Sequence, residues 1–316
     1  GNVIESERIW NFAFKLSQQI VTYTTRNFIL TGIPILNYWR GNISPDQALK
    51  FKELMKSDVS CRETAKFLTA QVLVKSGKYE EAIKAAEDGI VQLLELWGDT
   101  ADVIMSALLI DTVFKAGQLD KALAITNASI KKVEELNIDG ITSKAELLRL
   151  KAKILFKIAQ QQIGLRTQRK APARAPQLDD NSLFHVDNIA VHLNFNNFDG
   201  TVVTNSNNQT ETQLVSKGPT DLVQIELLLQ HASQLAKQKG LFLVEVRCAI
   251  DAAEVWLAYG DDLQKLEALH ALEALQEQMT KLKAEQLDEF STAQKLIAEL
   301  KSHIVCLFPP VFEQNL

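Results

Sequence analysis

The feature that most constrains this chain is a corner that occurs twice. Lys75-Ser76-Gly77-Lys78-Tyr79-Glu80-Glu81-Ala82 and Lys115-Ala116-Gly117-Gln118-Leu119-Asp120-Lys121-Ala122 both set a glycine, a large apolar residue two positions on, and an alanine five positions on. The two glycines stand 40 residues apart. Glycine tolerates the left-handed backbone that closes a helix against the following turn. The apolar residue is expected to pack back beneath the corner, and alanine is small enough for two antiparallel helices to approach closely. Apolar residues at helical spacing lead into each corner, such as Ala65, Leu68 and Leu73, then Leu108, Leu109 and Val113. They lead out again through Ile83, Ala86 and Ile90, and through Leu123 and Ile130. Repetition on this scale means stacked supersecondary units, here helical hairpins.

The corners resemble those of the tetratricopeptide repeat (TPR) family. Its elbow glycine, following aromatic and second-helix alanine correspond to Gly77, Tyr79 and Ala82, then to Gly117 and Ala122 with Leu119 in the aromatic's place. The likeness covers residues 61–136. The repeat distance exceeds the family's period of about 34, Lys66 and Thr69-Ala70 stand where the family has its first-helix Trp and Leu-Gly, and neither unit has the terminal proline. The resemblance implies an all-α fold of stacked antiparallel helical hairpins, a TPR-like α-solenoid, whose trough takes up extended peptides or helices. The first helix of each hairpin then lines the trough, through Lys66, Thr69, Ala70 and Leu73, and through Ser106, Leu109, Ile110 and Val113.

Five regions follow from the composition along the chain. Residues 1–57 are aromatic-rich helices, with Trp10, Phe12, Phe14, Tyr38 and Trp39 packed as a cap or, in the sharper reading, with Trp39 in a partner-binding patch. Residues 58–163 hold the hairpins and a further helix over 142–163. Residues 164–219 are a polar insertion or linker with eight asparagines and Pro172, Pro176 and Pro219. Within it Ala190-Val191-His192-Leu193-Asn194-Phe195 alternates as a short β element would. Helical hairpins resume over 220–308, with helices to Lys239, from Leu241 to Tyr259, from Leu263 to Lys283 and from Gln286 to Cys306. Gly260-Asp261-Asp262 makes one corner, the acids serving as helix caps. Pro309-Pro310 stops the last helix, leaving a tail over 309–316.

The residues for chemistry are sparse. No phosphate-cradling glycine loop, dinucleotide fingerprint, zinc-protease motif, serine elbow or calcium loop occurs, so no enzyme, cofactor or metal is expected. His185 and His192 lack a third ligand at usable spacing and read as polar loop residues. His231, His270 and His303 fall singly on separate helices, on or near the surface. Cys61, Cys248 and Cys306 are widely spaced and odd in number, which fits small apolar fillers in a reducing, cytoplasmic setting. The net charge of −5 argues against a protein built to grip phosphate backbones. No uncharged apolar run is long enough for a membrane span. Arg166, Arg169, Lys170 and Arg174 form a local basic run, expected as solvated linker, with a contact to an acidic protein surface such as a tubulin tail and a nucleic-acid contact as the sharper readings, although no aromatic interleaves the run for base stacking. The absence of a starting methionine suggests a segment of a longer polypeptide.

Together these features point to a non-catalytic protein–protein interaction scaffold, one segment of a cytoskeletal or axonemal type of multiprotein assembly. The candidate contacts are Lys66, Thr69, Leu73, Ser106, Leu109, Val113, Trp39, Arg166, Arg169 and Lys170. The partner is a peptide segment or a neighbouring helical subunit, and neither membrane, nucleic acid nor small molecule is expected. The alternative is a regulatory sensor whose trough holds a peptide or small effector.

Overall fold

A computed structural model of the chain describes residues 62–97, 99–136, 143–170, 218–285 and 287–307, with single positions at 8, 9, 12 and 53. Phe12, expected to pack in an aromatic cap, is 64% exposed, whereas the other N-terminal aromatics including Trp39, the β element over 190–195 and the C-terminal tail lie outside the described residues. Among the described residues the secondary structure is entirely helical, with no strand. In chain order the helices are α1 Arg62–Lys75, α2 Tyr79–Trp97, α3 Asp99–Lys115, α4 Leu119–Glu135, α5 Ser143–Lys170, α6 Gly218–Gln238, α7 Phe242–Tyr259, α8 Asp262–Lys281 and α9 Asp288–Leu307. None is long and apolar enough to cross a membrane.

Both repeated corners adopt the geometry their glycines allow. Gly77 and Gly117 have φ of +71° and +79°. At the first, Gly77 N–H donates to Val74 O (3.0 Å) and Lys78 N–H to Leu73 O (2.9 Å). At the second, Gly117 and Gln118 donate to Phe114 O and Val113 O in the same way. This paired bonding satisfies carbonyls that a helix end leaves open. The corner after α6 repeats it at Gly240, and the one after α8 repeats it with a lysine, Lys283, at φ +54°. The apolar residue beyond the glycine behaves differently at the two repeated corners. Leu119 is buried as expected, whereas Tyr79 is 36% exposed and does not pack beneath its corner. Ala82 and Ala122 are fully buried.

Two boundaries differ from those the sequence suggests. Helix α5 runs on to Lys170 instead of ending near Ile163. A single Gly164 costs a helix only about 1 kcal/mol, and the Leu, Gln, Arg and Lys residues beyond it are good helix formers. Between α8 and α9 the chain leaves the helix at Lys281 and re-enters at Asp288. At Gly260 the corner is extended (φ −74°, ψ 155°), and Asp261 caps α8 as expected. Asp261 Oδ1 accepts from Gln264 N–H at 2.8 Å while Gln264 Oε1 accepts from Asp261 N–H at 3.1 Å.

Each helix packs on its neighbours in the chain, and every odd-numbered helix from α1 to α9 also packs on the next odd-numbered one. Consecutive helices joined by such short corners run antiparallel, and α5 and α7, on either side of residues 171–217, run parallel, with Glu146 beside Arg247 and Lys153 beside Asp251. Phe67, Ile83, Ile90, Leu109, Ile110, Val113, Leu147, Leu150 and Ile154 form the core through α1–α5. Leu243, Val246, Leu269, Leu272, Met279, Leu296 and Leu300 form that of α7–α9. Two smaller clusters join them across α5, α6 and α7. One is built on Ala145, Leu148, Ala232, Ala236, Val244 and Cys248, the other on Ala152, Phe156, Ile225, Leu229 and Val255. Helix α2 is linked to the start of α4 by polar side chains, with Lys121 Nζ 2.8 Å from Glu87 Oε1 and Gln118 Nε2 donating to Glu80 Oε1 at 2.7 Å.

Candidate functional site: an ionic lattice and an outward apolar surface

The expected trough is only partly available. Lys66, Thr69 and Leu73 are half-buried on α1, where a contact surface is possible. Ser106, Leu109 and Val113 are buried in α3, as is Ile110, and cannot line an open groove. The physical reason is the position of α3. It packs against α1, α2, α4 and α5 at once, which covers Ser106, Leu109, Ile110 and Val113, while Asp111 and Lys115 keep 24% and 50% of their side chains exposed. Arg166, Arg169 and Lys170 fall on the last turns of α5. Trp39 lies outside the described residues. His231, His270 and His303 are exposed, and Cys248 is buried.

The most unusual chemistry is inside the odd-helix layer. Glu146, Arg149 and Lys153 lie along one face of α5 at spacings of three and four, and Arg247 and Asp251 lie one turn apart on α7. They join Glu289 of α9 in a chain of alternating charge. Glu289 Oε1 accepts from Arg247 Nε at 2.7 Å, and Arg247 Nη1 reaches Glu146 Oε1 at 3.4 Å. Arg149 grips both oxygens of Glu146, at 2.8 and 2.7 Å, and donates through Nη1 to Asp251. Lys153 Nζ donates to the other oxygen of Asp251 at 3.0 Å. Glu146 is fully buried, and Arg149, Asp251 and Glu289 nearly so. Lys153, with 32% of its side chain exposed, is the lattice member most open to solvent, and Arg247 and Glu289 keep 11% and 10%.

Three carboxylates meet three cations, so the buried charge balances. Burial alone would push the Asp251 carboxyl up, but Lys153 and Arg149 outweigh it and hold it below the ordinary aspartate range. Asp251 in turn raises Lys153 above the ordinary lysine value against the effect of burial. Neighbouring Glu254 is raised, because burial outweighs the pull of Lys153. Cys248 sits beside the lattice, and burial drives its thiol far above the ordinary value. It therefore lacks the thiolate a nucleophile requires. The lattice groups pair mainly with one another, and Glu289 Oε2 is buried without a hydrogen-bond partner. Among the described residues, no group of three or more His, Cys, Asp or Glu side chains is placed to hold a metal ion.

A second feature faces outward. On α6, Ile225, Leu229, Ala232 and Ala236 are buried, and Val223 and Leu227 emerge on the opposite side, 56% and 59% exposed. On α8, Ala268, Leu272, Leu275 and Met279 are buried, and Leu263 and Leu266 emerge opposite, 64% and 36% exposed. Because α6 and α8 both run antiparallel to α7, their first turns lie at the same end, beside Tyr259. The Tyr259 ring meets Phe156 of α5 edge-on, with centroids 6.0 Å apart.

The lattice did have a trace in the sequence. Arg247 and Asp251 are charges four apart on one face of the largely apolar stretch Phe242–Tyr259, whose other charges are Glu245 and Glu254, and such a pair is expected to find partners when buried. The outward leucines left no trace, since their exposure depends on which face of each helix its neighbours cover. No protein-family model matches the chain, and no curated protein matches it in sequence.

Proposed function

We propose that this chain is a non-catalytic, TPR-like scaffold that binds protein and works as one part of a multiprotein assembly in a reducing, cytoplasmic setting. The supporting observation is the packing pattern: each helix meets its chain neighbours, and odd helices meet odd helices. Arrays of this kind grow by adding hairpins and expose long surfaces suited to peptides and helices. Exposed apolar residues on the outer faces of α6 and α8 add to this, because apolar surface left exposed on alternate helices at one end of the array suits a partner's apolar face. These residues, with half-buried Lys66, Thr69 and Leu73 on α1, are the contacts the scaffold offers.

The test compares proteins captured from native extract by the wild-type chain and by two variants. One carries Val223→Asp, Leu227→Asp, Leu263→Asp and Leu266→Asp. The other carries Lys66→Glu and Leu73→Asp. All must keep their helical circular dichroism. Loss of a defined protein with one variant and not the other supports the scaffold and locates its contact. Capture that is identical for all three, or turnover of a small molecule that co-purifies, overturns it.

A further inference from the structure

The ionic lattice joins residues that lie on either side of 171–217. Glu146, Arg149 and Lys153 precede residues 171–217, whereas Arg247, Asp251 and Glu289 follow them. The apolar contacts flanking the lattice also cross, with Ala145, Leu148, Ala152 and Phe156 of α5 set against α6 and α7. Leucine and alanine surfaces adhere without specifying a register, because a slide of one turn brings similar groups together. Charges do not permit such a slide. Helices α5 and α7 run parallel, with Arg247 beside Glu146, and Asp251 between Arg149 and Lys153. A shift of one turn in one direction sets Arg247 against Arg149, and in the other direction sets Asp251 against Glu146. Either places like charges together out of water, where their repulsion is little screened.

We infer that residues 62–170 and 218–307 form a keyed pair: the α5 face bearing Glu146, Arg149 and Lys153 is a docking surface for the 218–307 half, which the lattice seats in a single register. The covalent link through 171–217 is then dispensable for the association. The apolar clusters supply adhesion and the alternating charges supply the register, the division of labour that buried polar groups perform in coiled coils.

The experiment uses the full chain with a specific protease site replacing residues 190–195, cut to completion after purification. The expected result is that both fragments elute together at the volume of the uncut chain and keep its helical signal. Asp251→Asn should weaken the association of the cut fragments on the order of tenfold or more. Lys153→Met, at the open end of the lattice, should weaken it in the same direction but less. Lys301→Ala, which breaks only the surface pair with Glu273 on the far side of α8 and α9, should leave it unchanged. Register is read separately by disulfide formation between Ala152→Cys and Val255→Cys, both members of the apolar cluster that joins α5 to α7. That bond should form in good yield in the cut wild type and fall when Glu146→Gln, Arg149→Met and Asp251→Asn are combined, even where the fragments still associate. Fragments that separate on cutting overturn the inference. So does a lattice whose removal changes neither association nor cross-link yield. If Asp251→Asn does not fold, Lys153→Met and the cross-link decide the matter.

Discussion

The ring of Phe67 occupies the space that a side chain at residue 89 would need. A Cβ on Gly89 would lie 2.7 Å from Phe67 Cε2, well inside contact distance. Phe67 is wholly buried, so the ring has nowhere to swing, and α1 and α2 meet ring to backbone at this point. Gly89→Ala should therefore destabilise the protein: overpacking costs about 1–3 kcal/mol, against a gain of about 1 kcal/mol in helix propensity. Phe67→Ala should cost roughly 3–5 kcal/mol. In the double variant Phe67→Leu/Gly89→Ala, part of the Gly89→Ala loss should be recovered. Urea unfolding measures all three, and a more stable Gly89→Ala would show that the ring is not held there.

Lys283 holds a backbone conformation that its corner counterparts Gly77, Gly117 and Gly240 adopt without strain. A left-handed non-glycine residue costs about 1–2 kcal/mol, partly offset because glycine loses more freedom on folding. Lys283→Gly should raise stability by roughly 0.5–1 kcal/mol, visible as a higher melting temperature. Gly117→Ala should lower it by a similar amount through the reverse effect.

Stability should fall at both ends of the pH scale through the same ion pair. Asp251, facing Arg149 and Lys153 of α5 with Glu254 beside it, has its carboxyl held below the unfolded value of 3.8. Its contribution is present above that pH and is lost as pH falls through the lower folded value. Lys153 is raised above 10.5, so its contribution is complete below that pH and disappears as pH climbs past it. Glu254 works in the opposite sense. It ionises later in the folded chain than in the unfolded one, which costs stability as pH rises past 4.5. At neutral pH, Asp251→Asn leaves two cations without their carboxylate and should cost about 3–5 kcal/mol. Melting curves from pH 2 to 12 should also show a shallower acid fall in that variant. An acid limb identical to wild type would remove Asp251 from this role.

Cys248 should behave as an inert filler. Its thiol is buried and driven upward, so little thiolate exists at pH 8. With Cys61 and Cys306 replaced by serine, a thiol reagent should label the remaining cysteine only as fast as the protein opens. Added urea should accelerate labelling in step with unfolding. Rapid labelling of the native chain would show that the α5–α6–α7 junction is open.

Much of the helix order could be read directly from the chain. Gly77 and Gly117 determined two corners because few other residues accept a left-handed turn, and Asp261 with Gln264 determined the start of α8 because a capping box is a local bond. These are interactions among residues close in sequence, and a sequence states them outright. Tyr79 was equally local in appearance yet emerges into solvent, because its fate depends on what lies above the corner. Ser106, Leu109 and Val113 belong to the core rather than a trough, since α1 and α5 close over α3 from both sides. The pairing of Glu146 and Arg149 with Asp251 joins residues about a hundred positions apart, and no periodicity within a helix announces its partner on another. The sequence alone settled the corners at Gly77, Gly117 and Gly240 and the start of α8, through backbone limits and neighbouring bonds, but not the end of α5 or the break between α8 and α9. Which faces became interior, surface or ionic seam was decided only when the helices packed, because burial is a property of neighbours the chain brings in from afar.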